Sequence, residues 1–164
     1  MKAETVPILR GTRISLRPYT PERCHAFWHD YIADPAMWAE AFHYDPAKID
    51  RYYQSKLMDE SRIYFAICHA DTTVGEIQLK RIDPQQGCAA LSIHPANNRY
   101  KNRGFGSEPI RLLIFYTFHS LGLKRIEADS VLRNTRSQHV LEKAGFQFLY
   151  EDAQLRYYAI DNTV

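Results

Sequence analysis

The sequence predicts an α+β fold in which helices flank one mixed, mostly antiparallel sheet. Three patterns carry that prediction. Short segments rich in β-branched and aromatic residues recur along the chain. Between residues 62 and 94 three of them follow one another across short turns, as antiparallel neighbours do. Segments with helical spacing precede and follow that block, so strands and helices share one layered core.

The elements read in order as follows. Arg13 to Arg17 alternates polar and apolar residues, a strand that Pro18 closes. Thr20-Pro21-Glu22 opens a helix, because threonine caps free N–H groups and proline suits the first turn; it should run to about Ala33. A second helix spans Asp45-Pro46 to Asp59, with Ile49, Tyr52, Tyr53 and Leu57 at helical spacing. Strands follow at Arg62–His69, Val74–Ile82 and Cys88–His94, separated by turns at 70–73 and 83–87. In the middle strand Ile77 and Leu79 take one face, and Glu76, Gln78 and Lys80 the other. A helix from about Gly106 to Leu121 is apolar on nearly every side and should be largely buried. Arg125–Val131 is a strand. Asn134 caps a short helix that ends at Gly145, and two last strands, 146–151 and 155–160, form a hairpin.

A length of 164 residues fits one domain, residues 1–164, with a core that needs no staples. The net charge of +2 implies no broad nucleic-acid surface. Cys24, Cys68 and Cys88 are odd in number and form no C-x-x-C pair, which argues against a disulfide framework and a zinc site. Free thiols suit a reducing compartment. The start MKAETVPILRGTRISLRP lacks the apolar run of a signal peptide, and Ile110–Phe118 is too short to span a bilayer. A cytoplasmic protein without membrane contact is expected.

The most informative segment is Arg99 to Ser107, RYKNRGFGS. It follows a strand and opens the apolar helix. A helix N-terminus offers unpaired N–H groups and a partial positive charge, hence an anion site. Gly104 and Gly106 permit close backbone approach and torsions barred to other residues, while Arg99, Lys101 and Arg103 add cationic side chains. That combination suits a pyrophosphate. No G-x-x-x-x-G-K-[ST] is present, and the third glycine of the dinucleotide fingerprint is missing. A glycine-rich turn with solvated charges is the plain alternative.

RYKNRGFGSE, the apolar helix and then LGLKRIEADSVLRNTRSQHVLEKAGF resemble the second half of a GNAT-family acetyltransferase of the RimJ/RimL type. GTRISLRPY and Val74-Gly75-Glu76-Ile77 are similar to that type as well. The likeness covers about residues 8 to 160, strongly from Arg99 to Phe146 and loosely from Thr20 to Arg62. The family's loop is R/Q-x-x-G-x-G/A, and Lys101 departs from its first residue. The resemblance implies acetyl transfer from acetyl-CoA to a primary amine in a ternary complex. It implies strands splayed at the cofactor site, with the pantetheine arm pairing to backbone near Ser92, Ile93 and His94. It assigns Arg99, Lys101, Asn102, Arg103, Gly104, Phe105, Gly106 and Ser107 to the cofactor's phosphates, and Asn134 to the pantetheine arm or to fixing the loop. Homodimers are common in the family.

Amine acylation needs a base for the attacking nitrogen, stabilisation of the carbonyl oxygen, and an acid or hydrogen-bond donor at the leaving thiolate. The family's usual tyrosine near the thiolate is replaced by Leu141. Ser137 matches the serine of RimL-like members; alternatively it satisfies a backbone N–H in the first helical turn. Asn134 is a helix cap on any reading. For the base there are two candidates. Glu76 faces the acceptor channel, directly or through water, or else is a solvated charge on an exposed strand face. His94 ends the cofactor-lining strand with a pKa suited to proton uptake, or else bonds backbone there. Glu108 reads as a helix-dipole partner, and His139 and Lys143 either meet an outer phosphate or are solvated. The aromatic residues between Phe27 and Tyr53 shape a core or an acceptor pocket. The missing tyrosine leaves open a catalytically silent acyl-CoA-binding module on the same fold.

Overall fold

The computed structural model describes residues 6–35, 37–100, 103 and 105–163. Eight strands form one sheet in the order β1-β2-β3-β4-β5-β6-β8-β7. The strands are β1 (Leu9–Arg10), β2 (Ser15–Pro18), β3 (Ile63–His69), β4 (Thr72–Asp83), β5 (Cys88–Pro95), β6 (Arg125–Val131), β7 (Gln147–Glu151) and β8 (Leu155–Asp161). Four helices accompany them: α1 (Pro21–Asp30), α2 (Pro46–Leu57), α3 (Ser107–His119) and α4 (Thr135–Lys143). Every neighbouring pair is antiparallel except β5–β6. β8 enters between β6 and β7, so the final hairpin leaves β7 at the sheet edge.

Local chemistry explains the helix boundaries. The Thr20 hydroxyl accepts from Arg23 N, and the Asp45 carboxylate from Ala47 N, with proline at the next position in both helices. α1 stops at Asp30 rather than the expected Ala33. Tyr31 turns extended, and Ile32 N then donates to Ala96 O at 2.9 Å, while Asn97 Nδ2 donates to Asp30 O. Tertiary backbone bonds thus draw the chain off the helix towards the end of β5. α4 ends at Gly145, whose φ of 105° no side-chain-bearing residue takes without strain.

Two apolar clusters cover the two sheet faces. The larger joins Leu16, Phe65, Ile67, Ile77 and Leu79 to Ile110, Leu113 and Tyr116 of α3 and Leu141 of α4. The smaller joins Ala66 and Cys68 of β3 to Cys24 of α1 and to Ile49 and Tyr53 of α2, with Trp28, Tyr52 and Tyr64 packed against them. Alternation along β3 puts these sets on opposite faces. The alternative that Glu76 is a solvated charge on an exposed face is therefore excluded. Glu76 is 3% and Gln78 6% exposed, because α1 and α2 cover that face too. α3 is also less enclosed than its sequence suggested: Phe115 is exposed and stacks on His119. All three cysteines are free.

One glycine shows how α3 is anchored. Glu108, in the first turn of α3, accepts Arg13 N at 2.9 Å and Ile14 N at 3.1 Å through one carboxylate oxygen. It therefore ties the helix start to the chain entering β2, beyond the dipole role read from sequence. A Cβ on Gly11 would lie 2.0 Å from that oxygen and 2.9 Å from Ile14 O. Gly11→Ala is expected to displace the carboxylate and lower unfolding stability by about 1–3 kcal/mol, as when charged hydrogen bonds are lost. Chemical denaturation checks this, and a stability within about 0.5 kcal/mol of the parent contradicts it.

Candidate active site

The sheet opens between β5 and β6. Their parallel ladder consists of Cys88↔Arg125, Ala89↔Ile126 and Ala90↔Glu127 and then ends. β5 runs on to Pro95 and β6 to Val131, so the edge of β5 facing β6 has no strand partner from Leu91 onward. Such an edge offers N–H and C=O groups to an extended ligand. A cleft of about 1010 Å³ fills the gap. Leu91–Pro95 and Ala128–Val131 line its sides, and Phe105, Gly106, Ser107 and the start of α3 lie at one end.

The predicted site residues distribute unevenly around this cleft. Ser92, Ile93, His94, Phe105, Gly106, Ser107, Asn134 and Ser137 all line it. Lys101, Asn102 and Gly104 lie outside the described residues. Arg99 and Arg103 are not among the lining residues. The Arg99 guanidinium binds Asp30 at 3.2 Å and the Tyr100 hydroxyl at 3.0 Å. Arg103 lies over the Phe105 ring, and its carbonyl accepts from Arg13. Among the described residues, Arg13, Arg111, Arg136 and Lys143 are the arginines and lysines that line the cleft, and the sequence pointed only to the last. Gly106 has φ −107° and needs no special torsion; a Cβ there meets nothing within 4 Å. Its value lies in open space at an uncapped helix start, where free N–H groups face outward.

Across the gap, Asn134 Oδ1 accepts Ser137 N at 3.1 Å, capping α4. Asn134, not Ser137, therefore satisfies the first-turn N–H. Among the described residues the Ser137 hydroxyl has no hydrogen-bond partner, so it is available to a group in the cleft. Leu141, standing where the family places tyrosine, is buried and also lines the cleft.

Glu76 does not line the cleft; it sits one strand behind His94, its register partner. His94 Nδ1 is 3.7 Å from Glu76 Oε1, slightly beyond a direct hydrogen bond. The Tyr19 hydroxyl donates to Glu76 Oε2 at 2.5 Å and the Tyr52 hydroxyl to Oε1 at 3.3 Å. Burial pushes the Glu76 carboxyl up to about 7, against the downward pull of Tyr19, Tyr52 and the Lys56 charge. The histidine is held below its ordinary value, first by desolvation and then by the Lys80 charge. Its side chain is 56% exposed, so water in the groove moderates that depression. A groove-facing imidazole with a carboxylate behind it can take a proton from a nucleophile, and the carboxylate offsets the resulting positive charge. Among the described residues no three His, Cys, Asp or Glu side chains group to hold a metal, and no helix is long and apolar enough to cross a membrane.

Residues 13–147 match the model of the family described as Acetyltransferase (GNAT) domain. The chain belongs to the GNAT family. That family takes its acyl group from acetyl-CoA, and the splayed cleft matches this use. Among GNAT relatives, "Probable N-acetyltransferase YjcK" of Bacillus subtilis (strain 168) is 35% identical over 96 residues, 57% of this chain and 53% of its own. "Uncharacterized N-acetyltransferase p20" of Bacillus licheniformis is 33% identical over 87 residues, 53% of this chain and 48% of its own. The chain thus spans about half the length of these curated relatives. The fold is shared with a "putative ribosomal-protein-serine acetyltransferase" from Vibrio cholerae, at TM-score 0.81 and 17% identity, over 99% of this chain and 100% of that one. It is also shared with RimL, a ribosomal L7/L12 α-N-protein acetyltransferase in complex with coenzyme A, at TM-score 0.78 and 13% identity, over 94% and 98%. Identities this low speak for the GNAT fold alone.

Proposed function

We propose that this chain is an acetyl-CoA-dependent N-acetyltransferase that passes the acetyl group directly to a primary amine in a ternary complex. The observation that supports this most is the splay itself. It leaves the β5 edge from Leu91 to Pro95 unpaired above a cleft that ends at an uncapped helix start. When bound, acetyl-CoA would supply an activated thioester. The backbone of Ser92, Ile93 and His94 would hold its pantetheine arm, and the amides at Gly106 and Ser107 its phosphates. Asn134 would orient the arm from the opposite side. Arg13, Arg111, Arg136 and Lys143 supply the cationic charge that the tethered Arg99 does not.

On the acceptor side, His94 takes the proton from the attacking nitrogen, and Glu76 behind it carries the compensating negative charge. The C–N bond forms as the C–S bond breaks. The Ser137 hydroxyl hydrogen-bonds the departing sulfur in place of the missing tyrosine. Relatives in fold include proteins described as acting on ribosomal proteins and a spermidine N-acetyltransferase chimera. The acceptor class is accordingly a primary amine on a peptide or small molecule.

Isothermal titration with acetyl-CoA is the first test, with micromolar binding expected. Thiol release across N-terminal peptides, amino acids and polyamines is the second. Absence of binding at millimolar cofactor overturns the reading, and binding without turnover on any amine reduces the chain to a silent acyl-CoA module.

A further inference from the structure

The acceptor-side helices do more than cover the sheet. Tyr19 precedes α1 and Tyr52 lies in α2, yet their hydroxyls converge on the two oxygens of one buried carboxylate. Resting on the acetyltransferase reading above, we infer that Tyr19 and Tyr52 are positioning residues for acceptor deprotonation, which hold the ionised Glu76 carboxylate against His94.

The geometry carries this in three steps. First, neither phenol is a bystander of packing. Tyr19 is 3% exposed, and its ring packs on Tyr64 at 5.0 Å and on Tyr53 at 6.2 Å. Its backbone carbonyl accepts the Tyr53 hydroxyl at 3.1 Å, which fixes Tyr19 between α1 and α2. Second, both phenols act as donors. Burial and the neighbouring Glu76 charge push both far above the ordinary tyrosine range, so each keeps its proton and has it to give. Third, the pair divides the carboxylate. Tyr19 holds Oε2, Tyr52 holds Oε1, and Oε1 is also the oxygen 3.7 Å from His94 Nδ1. A carboxylate fixed at both oxygens has little freedom to turn away from the imidazole. Tyr52 is braced in turn by the Tyr64 hydroxyl at 3.0 Å, and Lys56 lies over the Tyr52 ring.

Among the described residues, the titratable groups around Glu76 are Tyr19, Cys24 and Tyr31 on the α1 side, Tyr52 and Lys56 from α2, Tyr64 from β3 and His94 from β5. Cys24 is pushed up to about 11 by burial and stays neutral, and among the described residues Lys56 is the cation whose charge lowers the carboxyl. The two phenol hydrogen bonds are then the main forces opposing burial.

The test uses the full chain as Tyr52→Phe and Tyr19→Phe, which keep both rings. Two readouts separate this inference from the broader one. In ¹³C-glutamate-labelled protein, the Glu76 carboxyl signal is titrated by NMR without any acceptor. Each substitution is expected to move its midpoint upward by about one pH unit, as loss of a hydrogen bond to a charged group implies. The movement should be larger for Tyr19→Phe, whose bond is shorter. With an acceptor in hand, the acid limb of the kcat/KM profile should move by the same amount. That gives about a tenfold loss on the limb beyond whatever loss of carboxylate positioning takes from the alkaline plateau. An unmoved Glu76 midpoint in both variants overturns the inference, as does an acid limb that stays in place. If no amine is turned over, the acetyltransferase reading fails while the NMR titration still decides the role of the phenols.

Discussion

Replacing Glu76 with glutamine is expected to lower kcat/KM for amine acetylation by about 10²–10⁴-fold, the range for loss of a general base or its partner. The same change should make the protein more stable above neutral pH. In the folded chain the carboxyl sits at about 7, above its ordinary 4.5, because burial disfavours the charge. The native state therefore binds the proton more tightly than the unfolded state does. That contribution to stability is whole below about 4.5 and is lost as pH rises through about 7. The loss is on the order of 3 kcal/mol, since each pH unit separating the folded from the unfolded midpoint is worth about 1.4 kcal/mol. Glutamine does not ionise and escapes it, while still accepting from one of the two phenols. Thermal unfolding at pH 5 and pH 8 checks this. The variant should gain on the parent between the two, just where its activity is lowest. A gap that does not grow with pH, or parent-like rates, contradicts the account.

The largest purely structural effect is expected at Phe65. It is fully buried at the centre of β3, where its ring meets Tyr116 of α3 edge-on at 5.8 Å. Phe65→Ala removes a ring between the sheet and the longest helix and leaves a cavity that neighbouring strands cannot close. A loss of about 3–5 kcal/mol follows from comparable truncations. For a chain of this size that lowers Tm by roughly 6–20 °C. Calorimetry measures it, and a Tm within about 3 °C of the parent would show that the core relaxes into the space.

Much of this architecture was legible in the residues. Threonine-proline and aspartate-proline pairs announced α1 and α2, Asn134 announced α4, and the three-strand block showed its antiparallel order. These are local signals, and local hydrogen bonds satisfy them. What escaped depends on partners distant in the chain. Period-two alternation placed Glu76 opposite Ile77, but not beneath α1 and α2 with phenols from 57 and 24 residues away on its oxygens. Charge made Arg99 look like a phosphate ligand, whereas Asp30, 69 residues earlier, engages it. The two-residue β1 has too little sequence to alternate. In the site, the family resemblance led to Ser92–His94, Asn134 and Ser137, which line the cleft. The Glu76–tyrosine cluster had a weaker trace, the density of aromatic residues between Phe27 and Tyr53.

The short seam between β5 and β6 has a mechanical meaning. Only three residue pairs join five strands to the other three. At the closed end Gly87 O accepts both Lys124 N and Arg125 N, and Arg125 grips Asp161 through two hydrogen bonds. From Ala90 to Pro95 the β6-facing edge of β5 runs on about 16 Å, at some 3.3 Å per residue, with β4 paired along its other edge. A pivot of roughly five degrees of the β1–β5 half at the riveted end therefore swings its tip at Pro95 by about 1.4 Å relative to β6, on that same rise. β4 is paired to β5 through Glu76↔His94, so that travel alters the width of the cleft against β6 and leaves the His94–Glu76 pairing intact. Leverage of this kind lets residues far from the reacting atoms, Gly87 and Arg125 among them, set the alignment at the mouth.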